Sequence, residues 1–275
     1  MPHPCVIAAT DLTPRSLPVA GRAAQLAARL GARLILVHVR PEDGGAAGRP
    51  GFLGRGRAAA SLDERLFAEA HALGAESRLL TGRPEIVLAD LALDEAAVLM
   101  VLGLHRERRV LDLLRLTTME RIVLASSCPL MIARQPGLAP FARVLAPTDF
   151  GAASAASLAM AARIAPEAEF HAIHALQLPL GAAFTPGHRE TEAALSRAEA
   201  QKAAFLAMPG LPVLAEPPEI VPGGVHEVLA FRRAEINADL VCIGAMSGRD
   251  PRQLGNYARD LMRAPPTDLL VAKAL

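Results

Sequence analysis

The sequence predicts an α/β protein that contains two doubly wound sandwiches, each built on a five-stranded parallel sheet. The first observation is a repeated phrase, because V-I-A-A-T-D-L-T at residues 6–13 returns as V-L-A-P-T-D-F-G at residues 144–151. In both copies an apolar run ends on Thr-Asp and enters a helix of small residues, as expected of a buried parallel strand. The second observation is that strands alternate with helices along both halves, which is typical of βαβ units.

The repeat divides the 275 residues into two halves, each long enough to bury a core of its own. We expect a first domain at residues 1–136 and a second at 141–275. A short linker at 137–140 lies within a stretch that has prolines near both ends and a glycine inside.

Apolar periodicity and chain breakers place the secondary structure of both halves. In the first half the predicted strands are 6–10, 33–39, 76–81, 97–102 and 129–134, and the predicted helices are 14–30, 58–73, 84–93 and 117–126. In the second half the predicted strands are 142–147, 168–175, 212–221, 239–243 and 268–273, and the predicted helices are 152–165, 188–207, 223–236 and 255–263. Residues 41–57, 177–187 and 244–254 are predicted loops.

Composition argues against several classes of function. The formal net charge is +1 and aromatic residues are 3% of the chain, which gives no nucleic-acid footprint. Lys202 and Lys273 are the only lysines, and neither follows a glycine-rich turn, so a Walker-type phosphate loop is excluded. The start of the chain has no secretory pattern, and arginines interrupt the long helical stretches, so we expect a cytoplasmic protein without a membrane partner.

The three cysteines lie far apart, in or beside apolar runs: Cys5, Cys128 and Cys242. Reduced, buried thiols are the simplest interpretation of this pattern. His171 and His174 lie three apart in one predicted strand, where they point to opposite faces, so we expect no metal site there. His38 and His174 lie near the ends of equivalent strands, and a structural hydrogen-bonding role is favoured over a role in proton transfer.

Several phrases in a fixed order resemble the universal stress protein family, and nearly the whole chain is covered twice. They are Ala146-Pro-Thr-Asp-Phe150, Leu36-Val-His-Val39, Thr81-Gly-Arg-Pro84, Met100-Val-Leu-Gly103, Glu120-Arg-Ile122 and Cys128-Pro-Leu-Met-Ile132. The resemblance implies a tandem member whose sheets have strand order 3-2-1-4-5. It also implies that the halves pair as an internal pseudo-dimer through strand five, an edge strand that must be covered. Further dimerisation between chains stays open.

That strand order puts a ligand cleft between strands one and four, beyond their carboxyl ends. In ATP-binding members, the resemblance implies, the aspartate that ends strand one helps to hold the nucleoside. A loop of pattern G-x2-G-x9-G-[S/T] wraps the phosphates through backbone amides and a hydroxyl at a helix start.

In the first half the resemblance assigns Asp11, Val39, Gly103, Arg106 and Thr117 to this site. Arg106 and Leu116 stand where the family has its two inner glycines, so we expect bulky side chains to fill space that a triphosphate needs, although Arg106, Arg108 and Arg109 could supply charge instead. In the second half it assigns Asp149, Gly244, Ser247, Gly248, Gly255 and Asn256. There Asn256 replaces the final hydroxyl. The nucleotide loop is therefore degenerate in both halves.

Asp11 and Asp149 also have a purely structural interpretation, since an aspartate in this position can cap the following helix. Both roles can coexist. No nucleophile and base are identifiable from local spacing, so we predict no catalytic residues and no metal ligands.

These observations predict a universal stress protein that acts by binding a small ligand or a protein partner. ATP is a candidate ligand but not an assured cofactor, and an adenine-nucleotide binder or slow ATPase is one alternative. A ligand-free interaction module is the other.

Overall fold

The computed structural model describes residues 3–14, 16–42, 61–104, 116–134, 138–178, 189–246 and 253–274. The chain forms two compact units. The first runs to Cys128 and also contains residues 136–138, and the second contains residues 129–135 and the chain from Ala139 onward. The predicted loops at 41–57 and 177–187 fall largely outside the described residues.

The first unit has a parallel sheet of order β3-β2-β1-β4. Its strands are β1 (Cys5–Ala9), β2 (Arg33–Arg40), β3 (Glu76–Thr81) and β4 (Ala97–Gly103), and its helices are α1 (Leu17–Leu30), α2 (Leu62–Ala72), α3 (Pro84–Asp94) and α4 (Thr118–Ala125). The central strands are apolar along their length, as parallel strands covered on both faces should be, and Ile7, Ile35 and Met100 are fully buried.

The second unit has the strand order β5-β10-β9-β6-β7-β8. Its strands are β5 (Leu130–Ala133), β6 (Arg143–Pro147), β7 (Glu169–Leu176), β8 (Glu219–Pro222), β9 (Leu240–Gly244) and β10 (Asp268–Ala272), and its helices are α5 (Ala152–Ile164), α6 (Arg189–Leu206), α7 (Val225–Glu235) and α8 (Asn256–Arg263). Read as the five strands of the second repeat, this order is 3-2-1-4-5, as predicted.

The fifth strand of the first repeat, β5, pairs with the fifth strand of the second repeat, β10. This confirms the predicted internal pairing. β5 runs antiparallel to β10, with Met131 opposite Leu270. At the end of this ladder the Arg134 amide donates to Asp268 Oδ1 at 2.8 Å, and the Arg134 guanidinium donates to the carbonyls of Pro265 and Pro266. The buried Asp268 carboxylate therefore adds a hydrogen bond between β5 and β10 beyond the last backbone hydrogen bond of the ladder.

The predicted strand at 212–221 is much shorter in the structure. Only Glu219–Pro222 forms β8, although the Ala215 amide donates to the Phe170 carbonyl at 2.9 Å. Pro212, Pro217 and Pro218 have no amide hydrogen, so this segment cannot supply a continuous ladder. None of the helices in the described ranges combines the length and the hydrophobicity that a membrane span needs.

Candidate ligand-binding clefts

Each unit brings the repeated Thr-Asp pair and the glycine that ends the fourth strand to one edge of its sheet. In the first unit, Ala8 pairs with Val101, so continuing the register places Thr10 level with Gly103. In the second unit, Leu145 pairs with Val241, which places Thr148 level with Gly244. Both positions lie between the first and fourth strands of a repeat, where open α/β sheets bind ligands.

The turn after the first strand has the same geometry in both units. Thr10 Oγ1 accepts a hydrogen bond from the Leu12 amide at 3.1 Å, and Thr148 Oγ1 accepts one from the Phe150 amide at 2.8 Å. Leu12 and Phe150 both have left-handed backbones, with φ of 57° and 62°. Since that conformation is costly for a bulky residue, the threonine hydroxyl helps to hold it.

The two equivalent histidines each contact the turn of their own unit. His38 Nδ1 lies 2.9 Å from the Thr10 carbonyl oxygen, and His174 Nδ1 lies 2.8 Å from that of Thr148. A ring nitrogen beside a carbonyl must carry its proton there, so Nδ1 donates in both cases. These contacts agree with the structural role favoured for both histidines.

Asp11 and Asp149 each stabilise the turn that follows them. Asp11 Oδ1 accepts hydrogen bonds from the Thr13 amide at 2.9 Å and the Thr13 hydroxyl at 2.7 Å. Asp149 Oδ1 accepts hydrogen bonds from the Gly151 amide and the Ser154 hydroxyl, both at 2.9 Å. Neither aspartate is the N-cap of its helix, because Ser16 and Gly151 hold those positions. The expected helix cap is therefore a turn cap, and Asp11 remains exposed at the cleft.

Gly103 and Gly244 lie where a strand end approaches the helix after the first strand. A β-carbon on Gly103 would lie 3.0 Å from Val19 Cγ2. On Gly244 it would lie 2.8 Å from the Ser154 backbone nitrogen and 2.9 Å from Ala153. Close packing alone therefore requires Gly244, whatever binds beyond it.

In the first unit, Thr117 starts helix α4 as part of a closed capping box. Thr117 Oγ1 accepts from the Glu120 amide at 3.2 Å, and Glu120 Oε2 accepts from the Thr117 amide at 2.7 Å. Glu120 is fully buried. The helix start that the family resemblance assigns to a phosphate is thus occupied by a carboxylate of the chain itself.

The equivalent helix start in the second unit is different. Gly255 is the N-cap of α8 and Asn256 its first residue, and the first turn carries no acidic side chain. The Gly255 amide donates to the Ala245 carbonyl at 3.0 Å. Ala258 occupies the position that corresponds to Glu120, counted from the helix start. Helix α8 therefore keeps a positive N-terminal end without an internal carboxylate.

The remaining predicted site residues are only partly placed. Val39 is half-buried near the end of β2, at the same sheet edge as Asp11, and pairs with Leu80. Arg106, Ser247 and Gly248 lie outside the described residues. Leu116 lies next to Thr117, with 36% of its surface exposed.

Two groups beside the turns have no clear signal in the sequence. In the first unit, Glu69 of helix α2 contacts the Thr10 hydroxyl at 3.4 Å, and Thr10 contacts Ser16 at 2.7 Å. In the second unit, the Phe150 ring stacks on His174 with centroids 4.8 Å apart and meets the buried Phe205 of helix α6. Glu69 resembles any other polar residue of an amphipathic helix, so only the folded chain shows that it reaches the cleft.

The cysteines are all free and buried. Burial raises the pKa of Cys5 to about 11, against a smaller opposing effect of Arg33, and raises the pKa of Cys242 to about 12. Within the described part of the chain, no group of three His, Cys, Asp or Glu side chains is arranged to hold a metal ion.

Comparison with known proteins decides the family. The model of the universal stress protein family matches residues 5–134 and again residues 140–273. The chain belongs to the universal stress protein family. A search of curated protein sequences gives no significant match.

Solved structures of similar length share the fold along the whole tandem chain. A universal stress protein from Archaeoglobus fulgidus DSM 4304 is 18% identical, with 98% of this chain and 96% of that chain covered and a TM-score of 0.62. A Pseudomonas aeruginosa UCBPP-PA14 protein provisionally assigned to the family is 18% identical, with 98% and 93% covered and a TM-score of 0.66. A functionally unknown protein from Pseudomonas aeruginosa PAO1 is 17% identical, with 99% and 93% covered and a TM-score of 0.63.

Proposed function

We propose that this tandem universal stress protein acts in the cytoplasm, in stress response, by binding a small anionic ligand in the cleft of its second half. Adenine nucleotides such as ATP and AMP are the first candidates. The first half does not hold a phosphate in this proposal. The observation that carries it is the difference between the two helix starts, α4 and α8.

The first half is unsuited to an anion because Glu120 already occupies the helix start. Its carboxylate accepts the Thr117 amide at 2.7 Å, and the Thr117 hydroxyl accepts the Glu120 amide at 3.2 Å. A second anion would meet a like charge and would compete for bonded donors. This internal occupation adds to the steric filling that Leu116 and Arg106 predict.

The equivalent helix of the second half carries no such charge in its first turn. That helix, α8, starts with Gly255 and Asn256. Asp149 and Gly244 lie at the same sheet edge, at the point where βαβ units diverge. A phosphate placed against α8 would be stabilised by the helix dipole, and its remaining atoms would extend toward Asp149.

Titration calorimetry of the full chain with ATP and AMP tests this proposal. We expect one site per chain. The double variant Gly255→Thr with Ala258→Glu places a hydroxyl and a carboxylate at the positions they hold in α4 and should weaken binding at least about tenfold, which is about 1.4 kcal/mol. The matched control, Gly255→Thr with Ala258→Gln, has side chains of nearly the same size without the negative charge and should retain more affinity. An absence of binding, or equal affinities of both double variants and the parent, would contradict the proposal.

Partner binding is a second candidate, favoured by large apolar side chains on the surface of the second unit. Val213 is 93% exposed and Phe231 is 71% exposed. A partner that covered these side chains would remove their apolar surface from water. If a partner binds there, Phe231→Ser should abolish its capture from stressed cells and leave nucleotide affinity unchanged. Unchanged capture would exclude Phe231 from the contact with the partner.

A further inference from the structure

Three side chains form a connected chain of polar contacts behind the cleft of the first half. Thr10 Oγ1 lies 2.7 Å from Ser16 Oγ and 3.4 Å from Glu69 Oε1. Ser16 Oγ in turn donates to the Thr13 carbonyl oxygen at 2.9 Å. Thr10 and Ser16 are buried, with 5% and 7% of their surfaces exposed, and Glu69 reaches them from helix α2.

Counting protons shows that this chain can run in two directions. With Glu69 ionised, the Thr10 hydroxyl donates to the carboxylate, and the Ser16 hydroxyl can donate to Thr10. With Glu69 protonated, the carboxyl donates to Thr10, Thr10 donates to Ser16, and Ser16 donates to the Thr13 carbonyl. Each hydroxyl has a single hydrogen to donate. The donor in the Glu69–Thr10 contact therefore determines whether Thr10 or Ser16 is the donor in the contact between them.

We propose that Glu69 is a proton-sensing residue of the first half, and that its protonation reverses this hydrogen-bond chain and alters the turn that carries Asp11. Thr13 is the point of coupling. Its carbonyl receives the Ser16 hydroxyl, while its amide and hydroxyl both donate to Asp11 Oδ1. A change at Glu69 is thereby passed to a carboxylate at the mouth of the cleft.

The electrostatics around Glu69 support this role. Burial raises the pKa of Glu69 above its ordinary value of 4.5; the Thr10 hydrogen bond lowers it, the negative charge of Asp11 raises it, and Arg65 lowers it. Arg65 lies on the same helix and also donates to the Leu12 carbonyl. Helix α2 packs on β2 and β3, and from β2 His38 contacts the Thr10 carbonyl at 2.9 Å.

The described part of the second half has a different arrangement at this place. There Ser154, which corresponds to Ser16, donates directly to Asp149 at 2.9 Å. Helix α6 brings the buried Phe205 ring to the Phe150 turn. The inference therefore concerns the first half alone and does not depend on the ligand proposed for the second half.

An NMR titration of the full chain tests the proposal through the carboxyl carbons of Glu69 and Asp11 and the amide of Thr13. We expect Glu69 to titrate above its ordinary value and the Asp11 and Thr13 signals to show an inflection at the same pH. Glu69→Gln should remove that inflection. Ser16→Ala should shrink the Thr13 response while leaving the direct charge effect on Asp11.

Thr10→Ser keeps a hydroxyl in the middle of the chain and should preserve the Thr13 response. Three results would overturn the proposal. Glu69 could titrate at or below its ordinary value, the Thr13 amide could stay still through the Glu69 transition, or the Thr13 response could be unchanged in Ser16→Ala. Because Glu69 is only half-buried, Glu69→Gln should fold, and this keeps the test decisive if Ser16→Ala does not.

Discussion

Gly244 lies so close to Ser154 that a β-carbon on the glycine would come within 2.8 Å of the serine backbone nitrogen. The same β-carbon would meet Ala153 at 2.9 Å. These neighbours belong to the first turn of helix α5, whose backbone cannot move without shifting the helix. The strand end and the start of the helix are therefore fitted to a residue without a side chain.

Replacing Gly244 with alanine should consequently be costly. We expect Gly244→Ala to destabilise the second unit by about 2–3 kcal/mol, because the added methyl group has no room and must displace backbone. Gly103→Ala is the matched control, since its β-carbon would meet a side-chain atom, Val19 Cγ2, at 3.0 Å, and no backbone atom that close. Urea unfolding followed by circular dichroism would check both variants. Equal losses at the two glycines would contradict the close-packing explanation.

The capping box of helix α4 predicts a second stability effect. Glu120→Ala should destabilise the first unit by about 1–2 kcal/mol, because the half-buried Thr117 amide loses the buried Glu120 carboxylate as its acceptor. Glu64→Ala removes the same contact from the box at the start of helix α2, where Ser61 and Glu64 are exposed. Water can replace the carboxylate there, so we expect a smaller loss. Hydrogen exchange of the first α4 and α2 amides would separate the two effects.

The fold could be predicted from the sequence because its signals are local and occur twice. Apolar runs that end in Thr-Asp or Gly predict the strands and the carboxyl ends of those strands. The same pattern in both halves supports the prediction for each. The strand at 212–221 was overextended because three prolines interrupt an otherwise apolar run. Their effect depends on which side of the segment must supply amides, and the sequence alone does not show that side.

The cleft was harder to predict than the fold. Asp11 belongs to the repeated phrase, and the family resemblance assigns Thr117 and Gly244; the structure shows what each of them contacts. In the sequence Glu120 stands out only as part of a family phrase, yet its carboxylate accepts a hydrogen bond from the N-cap amide of helix α4. Glu69 had no signal, because its partner Thr10 lies 59 residues away in the sequence. Contacts between distant segments are what a single sequence conveys least.

The buried thiols predict low chemical reactivity. Burial raises the pKa of Cys5 to about 11, so at pH 8 roughly a thousandth of it is thiolate. Cys242, with a pKa raised to about 12, should react more slowly still. We expect Ellman's reagent to label none of the three cysteines rapidly in the native protein and all of them in guanidinium chloride. Rapid native labelling of Cys5 or Cys242 would show that the unit opens locally.

The hydrogen bond from the Arg134 amide to Asp268 should contribute to the stability of the β5–β10 pair. Asp268→Ala leaves the Arg134 amide without its 2.8 Å acceptor and should destabilise the second unit by about 1–3 kcal/mol. Glu199→Ala is a suitable control because it breaks only a surface ion pair with Lys202, which should cost less than about 1 kcal/mol. Denaturant unfolding of both variants checks the prediction. A loss no larger than the control's would show that the ladder alone holds β5.

Glu69→Gln should stabilise the first unit near neutral pH and lose that advantage in acid. The folded protein raises the pKa of Glu69, mainly through burial, so the native state binds this proton more tightly than the unfolded chain does. The free energy of unfolding of the parent chain therefore falls as pH rises from the ordinary pKa of 4.5 through the raised pKa of Glu69. Above that range the ionised Glu69 carboxylate destabilises the folded state. Glutamine has no proton to lose, so the difference between the two proteins should be largest at pH 7 and shrink toward pH 4. Thermal unfolding of both proteins across that range measures it, and a difference that is constant with pH would mean that Glu69 is not desolvated in the folded chain.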